Sequence, residues 1–423
     1  MIAALVVALV FLAAVLTITL SSRNALISFL IGASAGLVAV QFFQVHLFAY
    51  LVLAWAIFSR RDAKSLLPWQ AALPIVCAIP LASTALTGDL VNSPTLALQL
   101  LAFAICAALI VITATSADIK QMLIGLMATS SAASAWGILQ VVGIVPNDAW
   151  HIDVSALGRP TGFYPEPDWL GMFAGIGLVL AWRVQLGPKL RVILVLINSF
   201  AFVLAFARAA WVAVAASAAL ALVLYIVQRR RGSSEIVVRK TATGRRSAVL
   251  ILLVAGTAVL VSVPSLAADL TVRLSRTLTV ADNDISGRAR VQQNDSLSYL
   301  ASTAPWNGHG ISTSGRVGVS GIIDYGDSPN NLGSNWLTSM WVDGAALSLP
   351  LIGFLVITAI LAARSIQGQL LVLVLLNSLF SNATFQPVTW LLVGLCLASL
   401  RIHGESKDLR SSPVKADSVL LRQ

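Results

Sequence analysis

Apolar runs long enough to cross a membrane follow one another along most of the chain, with short polar turns between them. The most informative run covers residues 192–227, where Arg208 is the only charged side chain. A transmembrane helix requires about 20 mainly apolar residues. Hydrophobic residues make up 57% of the chain and charged residues only 11%, whereas charged residues make up about 25% of a soluble domain. The pattern therefore predicts an all-α polytopic membrane protein.

The lengths of the apolar runs predict about 12 or 13 transmembrane helices. Residues 25–58 decide the number, since this run is too long for one crossing and predicts either two short helices or one helix with a membrane-embedded segment. An even number would place both termini in the cytoplasm. The other helices are predicted at residues 2–20, 66–86, 95–115, 119–142, 169–182, 247–264, 345–363, 366–380 and 388–400, with a further pair inside 192–227.

The distribution of basic residues predicts the orientation of these helices. The net charge is +10, and the basic side chains concentrate in short loops beside helix ends, as the positive-inside rule describes. Residues 228–246 carry seven basic side chains and one acidic one, which predicts a cytoplasmic loop. Residues 144–166 and 266–344 and the neighbourhood of Arg208 are then predicted to face outward. Because orientation accounts for the positive charge, membrane lipid is an expected partner and nucleic acid is not.

Residues 266–344 form a long polar segment inside this apolar chain. They contain five arginines and seven aspartates but no lysine. A guanidinium group binds phosphate or carboxylate through two parallel hydrogen bonds, which the lysine ammonium cannot do. The segment also contains Trp306, Trp336 and Trp341, whose flat rings with one polar edge suit sugars or a membrane surface. The composition indicates either an anion-binding loop or a solvated connector.

Arg208 is the most informative single charge in the sequence. An arginine at membrane depth costs about 2.5 to 3.5 kcal/mol on insertion scales, so it needs a partner or a wet cavity. The basic flanks of residues 192–227 predict that the chain crosses twice, with Arg208 near the turn at the outer face. The alternative is a helix-end arginine that extends its charge to the interface.

Two short motifs in outward-facing positions resemble those of the O-antigen ligase and polymerase family of membrane glycosyltransferases. Arg159-x-x-Gly162, followed by Pro167-Asp168 at a predicted helix start, resembles the family's Arg-x-x-Gly…Pro-Asn motif. Residues 206–211, Phe-Ala-Arg-Ala-Ala-Trp, are similar to its Ser-Arg-Gly/Ala helix start. In the polar segment, Gly287-Arg288, Pro305 to Gly310 and Asn335 to Gly344 follow the family order. The resemblance covers about residues 145–400.

This resemblance implies an enzyme of the cytoplasmic (inner) membrane whose active face points outward. It would transfer a glycan from an undecaprenyl-pyrophosphate carrier to a hydroxyl of a glycan or glycolipid acceptor, without metal or other cofactor. Arg159 and Arg208 would bind the pyrophosphate and stabilise the charge that develops on it. The chain would divide into N-terminal helices (1–143), a catalytic region (144–400) with the outer loop 266–344, and a disordered cytoplasmic tail (401–423).

The chain departs from the family at its His-Asn pair, because residues 328–335 read Ser-Pro-Asn-Asn-Leu-Gly-Ser-Asn and contain no histidine. The base that accepts the proton of the acceptor hydroxyl therefore stays open between His309, Asp168 and Glu166. The candidate catalytic residues are Arg208, Arg159, Asp168, Glu166 and His309. The candidate substrate-binding residues are Arg288, Trp211, Trp306, Asn331, Asn335 and Trp336.

Three further alternatives bear on function. These motifs do not distinguish a ligase from a polymerase. The competing hypotheses are a flippase for lipid-linked sugars and an inactive member of the same fold. A flippase would favour charges and broken helices at the midplane of several spans.

Asp282 and Asp284 could share a divalent cation, but Arg276 and Arg288 flank them and can neutralise them. We therefore expect no metal site.

Overall fold

The computed structural model describes residues 23–42, 45–58, 69–70, 72–73, 75–76, 94–145, 159–230, 285–318, 321–323 and 333–411. The helices predicted at residues 2–20 and 247–264, most of the helix predicted at 66–86, and the candidate residue Asn331 lie outside these described residues.

The described residues fold almost entirely into helices. These are α1 (Arg23–Ala35), α2 (Leu47–Phe58), α3 (Pro94–Thr113), α4 (Ser116–Val141), α5 (Pro167–Arg183), α6 (Pro188–Leu204), α7 (Arg208–Arg230), α8 (Ile285–Thr303), α9 (Trp336–Gly344), α10 (Leu349–Ala362), α11 (Ile366–Asn377) and α12 (Pro387–Ser411). Two short strands, β1 (Gln41–Phe42) and β2 (Val45–His46), pair antiparallel between α1 and α2.

Four helical segments are long and apolar enough to cross a membrane: Thr95–Thr113, Ser116–Val141, Trp336–Ala362 and Pro387–Gly404. Four shorter helices, in α1, α2, α7 and α11, are also apolar. The chain is therefore an all-α membrane protein over its described part, as predicted. The total of 12 or 13 crossings stays a prediction.

Two long apolar runs each divide between two helices. Residues 25–58 form the two short helices α1 and α2, joined by the β1–β2 hairpin, which is the first of the two predicted alternatives. Residues 192–227 divide between α6 and α7, and α7 begins at Arg208. The charge that is costly inside a membrane thus lies at a helix end.

Two segments contain more helix than the sequence predicts. Within the polar segment, α8 places Gln293, Leu297 and Leu300 on one buried face, and this spacing gives an amphipathic helix despite its polar composition. At the C-terminal end, α12 continues through residues 401–411, where a disordered tail is predicted. Arg401 is buried there and donates from Nη2 to the Ala114 carbonyl oxygen at 2.7 Å, which ties α12 to the end of α3.

Small residues allow α1 and α4 to pack backbone against backbone. A Cβ atom added at Gly32 would overlap the carbonyl group of Met122, and one added at Gly125 would overlap that of Phe29. Membrane helices have no hydrophobic drive to associate with one another, so close packing of small residues supplies much of their attraction. These two glycines allow α1 and α4 to lie in close contact.

The relative directions of α5 and α7 follow from their glycine contacts. Gly171 of α5 packs against Ala207, and Gly175, one turn further, packs against Val214, also further along its helix. The two helices therefore run parallel and begin side by side. At the same level, Gly137 near the end of α4 faces the side chain of Leu170 in α5.

Four helix ends consequently meet at one end of the bundle, which we call the arginine end. They are the C-termini of α4 and α6 and the N-termini of α5 and α7. Residues 205–207 connect α6 to α7 at this end, and residues 159–166 lead into α5. The predicted arginine motifs lie on these two connections.

Candidate functional site

An ion pair joins the two ends of the first arginine motif. Nη1 of Arg159 lies 3.3 Å from Oδ1 of Asp168, which stands in the first turn of α5. Asp168 is only 5% exposed, and Arg159 is half-buried. The α5 N-terminus carries a partial positive charge that also favours a carboxylate at this position. The aspartate thus holds the arginine against the start of the helix.

The same guanidinium also reaches the second arginine motif. Nη1 of Arg159 donates to the carbonyl oxygen of Phe206 at 3.4 Å. Phe206 has a φ of 49°, a left-handed conformation that is uncommon for a residue other than glycine. Arg208 follows two residues later at the start of α7, with an exposed side chain. The structure therefore brings Arg159 and Asp168 into contact and places Arg208 beside the backbone that Arg159 binds.

Trp211 supports this turn from inside α7. Its Nε1 atom donates to the Phe202 carbonyl oxygen at 3.0 Å, and its ring packs at an angle against those of Phe202 and Phe206. The polar edge predicted to meet a substrate is thus bound to α6. Trp211 acts on the site through the turn that carries Phe206.

The connection that carries Arg159 is held by Gln140 in the last turn of α4. Its Oε1 atom accepts hydrogen bonds from the backbone nitrogens of Thr161, at 3.1 Å, and Gly162, at 2.9 Å. Gly162 has a φ of 63°, and a Cβ atom there would lie 2.7 Å from the Ala133 carbonyl oxygen, so this position requires glycine. In the sequence, Gln140 is only a polar residue near the end of an apolar run, and it is not among the predicted site residues.

Two further residues complete this connection. The ring of Tyr164 stacks on that of Phe173, with centroids 4.5 Å apart. Burial raises the pKa of the Tyr164 hydroxyl well above its ordinary value, which favours its protonated form. Glu166 is exposed at the N-cap position of α5 and makes no capping hydrogen bond through its side chain.

The outer segment has its own buried carboxylate, Asp343, near the end of α9. It accepts hydrogen bonds from the backbone nitrogens of Ser312, at 3.3 Å, and Ser314, at 2.8 Å, and from the Ser314 hydroxyl at 3.1 Å. The buried Arg316 side chain adds a favourable electrostatic interaction. These hydrogen bonds attach segment 308–316 to α9. Neither Arg316 nor Asp343 is among the predicted site residues, because their pairing depends on contacts across the fold.

The other candidates in this segment differ in exposure and contacts. His309 is half-buried, with Nε2 3.3 Å from the Leu300 carbonyl oxygen. Asn335 caps α9 by accepting hydrogen bonds from two backbone nitrogens of its first turn. Trp336 is buried at 3% exposure, whereas Trp306 is 68% exposed. Arg288 is exposed on α8.

Within the part of the chain that the structure describes, no group of three or more His, Cys, Asp or Glu side chains could hold a metal ion. Asp282 and Asp284 lie outside that part. Metal independence therefore stays a prediction.

Comparison with known protein families matches part of the chain. A family model described as O-Antigen ligase matches residues 192–340, which include Arg208, Arg288, His309 and Asn335. The matched region begins within α6 and ends within α9. A comparison with curated proteins finds no match for the chain. In this central region, the chain is similar to the O-antigen ligase family.

Proposed function

We propose that this protein transfers a glycan from an undecaprenyl-pyrophosphate carrier to an acceptor hydroxyl on the outer face of the cytoplasmic membrane. The contact of Arg159 with both Asp168 and the Phe206 carbonyl carries the proposal, because it joins the two arginine motifs at one end of the bundle. The match of residues 192–340 to the O-antigen ligase family model supports the reaction class.

The arginine end offers several positive groups to a pyrophosphate. α5 and α7 begin side by side, and the N-terminus of a helix binds anions through its backbone N–H groups and dipole. Arg208 stands at the start of α7, and Arg159 is held between the two helix starts. When the bond between the anomeric carbon and the phosphate oxygen breaks, these fixed charges stabilise the departing pyrophosphate. No metal is needed for that step.

The acceptor hydroxyl loses its proton as its oxygen bonds to the anomeric carbon, so the site needs a base. Asp168 is buried and paired with Arg159, which suits it to orient the guanidinium. Glu166 is exposed two residues away at the same end. We therefore assign the role of the base to Glu166 and keep His309 as the alternative.

The partners in this proposal are the lipid-linked glycan donor, a glycan or glycolipid acceptor and membrane lipid. A deletion strain tests it directly, by the glycans that remain on the carrier lipid. Complete polymer on the carrier indicates a ligase, and single repeat units indicate a polymerase. An unchanged profile would overturn both.

A further inference from the structure

Gln140 is the side chain that joins α4 to the connection carrying Arg159. It lies in the last turn of α4 and is 4% exposed. Its amide oxygen accepts hydrogen bonds from two successive backbone N–H groups, those of Thr161 and Gly162. Its amide nitrogen lies 3.4 Å from the Thr161 hydroxyl oxygen. Residues 159–166 are outside any helix or strand, so their backbone groups depend on such partners.

The connection between Gln140 and Arg159 is short and stiff. Only Pro160 separates Arg159 from Thr161, and a proline ring fixes its own φ angle. Gly162 is held in a left-handed conformation close to Ala133 of α4, so the loop has little freedom on its other side. A shift of the two N–H groups away from Gln140 would therefore move Arg159.

Arg159 has little tolerance for such a shift. Its hydrogen bonds to Asp168 and to the Phe206 carbonyl measure 3.3 and 3.4 Å, near the upper limit for a hydrogen bond. A displacement away from these acceptors would weaken both contacts and would move the Arg159 guanidinium away from the second arginine motif.

We propose that Gln140 is a positioning residue for the transfer reaction: its side-chain amide fixes the loop so that the Arg159 guanidinium faces the start of α7 and the pyrophosphate of the donor. This inference rests on the proposed function. It assigns to an uncharged residue of the apolar helix α4 the placement of a charge that binds substrate.

The test compares two substitutions of similar length, only one of which keeps a strong hydrogen-bond acceptor. Gln140→Glu keeps an oxygen that accepts both N–H groups, whereas Gln140→Met has a similar length and no strong acceptor. Thr129→Val is the control. Thr129 is a buried α4 residue whose hydroxyl donates a hydrogen bond to the carbonyl oxygen of Ala33 in α1, away from the loop. Each variant is assayed in membranes containing donor, with transfer normalised to the amount of folded protein and measured over a range of donor concentrations.

We expect Gln140→Met to lower the maximal rate by about 10-fold to 10²-fold, as misplacement of a catalytic group does. Gln140→Glu should keep most of the rate, and Thr129→Val should resemble the wild type. In an Arg159→Lys background, Gln140→Met should cause little further loss, because the two residues act through one group.

Three results would overturn the inference: wild-type rates for Gln140→Met, equal losses for the Glu and Met variants, or losses that add fully in the Arg159→Lys background. Arg159→Ala separates this failure from that of the proposed function. If Arg159→Ala is inactive while Gln140→Met is normal, only the positioning role fails. If Arg159→Ala is fully active, the proposed site itself fails.

Discussion

Nη1 of Arg159 lies 3.3 Å from Oδ1 of Asp168, nine positions along the chain. The same nitrogen donates to the carbonyl oxygen of Phe206, which lies on another connection. A single guanidinium nitrogen thus ties the start of α5 to the turn that precedes α7. Arg208 begins α7 immediately after that turn. Both arginines consequently lie at the same pair of parallel helix starts.

Arg208→Lys tests whether the fork of the guanidinium matters beyond its charge. A lysine keeps one positive charge but loses the paired hydrogen bonds to a phosphate. We expect expression-normalised transfer to fall by about 10²-fold to 10³-fold, as for the loss of one preorganised donor. Arg159→Lys should behave alike, and the double variant should lose less than the two effects combined. Near-wild-type transfer by Arg208→Lys would leave Arg208 as an interfacial anchor only.

Asp168→Asn and Glu166→Gln separate orientation from proton transfer. Glu166→Gln removes a base, so we expect transfer to fall by about 10²-fold to 10⁴-fold while donor binding persists. Asp168→Asn removes the charge that holds Arg159, so donor binding itself should weaken. Binding of labelled donor to purified protein and transfer in membranes give the two readouts. Normal transfer by Glu166→Gln would return the base to His309, for which His309→Gln is the matched variant.

Chelation tests the metal-independent mechanism. Because two arginines and two helix starts surround the proposed pyrophosphate site, we expect transfer to survive EDTA at full rate. Transfer that stops in EDTA and returns with Mg²⁺ or Mn²⁺ would contradict this. Asp282→Asn and Asp284→Asn would then show whether that pair holds the cation.

Cysteine labelling tests the orientation predicted from charge. Ser314 is buried against Asp343, so a cysteine there would report packing instead of sidedness. Ser302, exposed near the end of α8, is the better outer position, and Ser233 is the inner one. In a background without native cysteines, an impermeant thiol reagent should label Ser302→Cys in intact cells and Ser233→Cys only after lysis. Equal labelling of the two in intact cells would overturn the topology.

Asp343→Ala tests the attachment of segment 308–316 to α9. The substitution leaves the backbone nitrogens of Ser312 and Ser314 without their acceptor, at a cost of about 1 to 3 kcal/mol for each buried group. We expect a lower unfolding temperature in detergent and faster proteolysis within the segment. Asp295→Ala, at an exposed position on α8, is the control. Equal stability of the two variants would show that the segment is held by other contacts.

Features that depend on local composition could be predicted from the sequence. The break before Arg208 follows from one charge in a long apolar run. For residues 25–58, length predicts two alternatives, and the structure shows one of them, the two short helices. The helix α8 could not be predicted from composition, because the segment is mostly polar. Its buried face, with Gln293, Leu297 and Leu300, becomes evident only in the structure.

Contacts between distant positions could not be predicted. Gln140 meets Thr161 across 21 positions, and Ser314 meets Asp343 across 29. Arg401 meets Ala114 across 287. An apolar helix with one polar residue gives no sign of what that residue will bind, since the partner is set by which helices pack together. A candidate site could therefore be proposed from its arginines, but the residues that support those arginines could not be predicted.

The length of α6 has a consequence for how a lipid-borne substrate arrives. Its 17 residues span about 25 Å, whereas the hydrocarbon layer is about 30 Å thick. In the proposed orientation, a helix that starts at the inner surface is too short to reach the outer one, so either the turn at Phe206 lies below the level of the outer headgroups or the bilayer is thinner around it. A carrier lipid could then slide its pyrophosphate sideways to Arg208 while its prenyl tail remains in the leaflet, and only the glycan would need to project from the membrane.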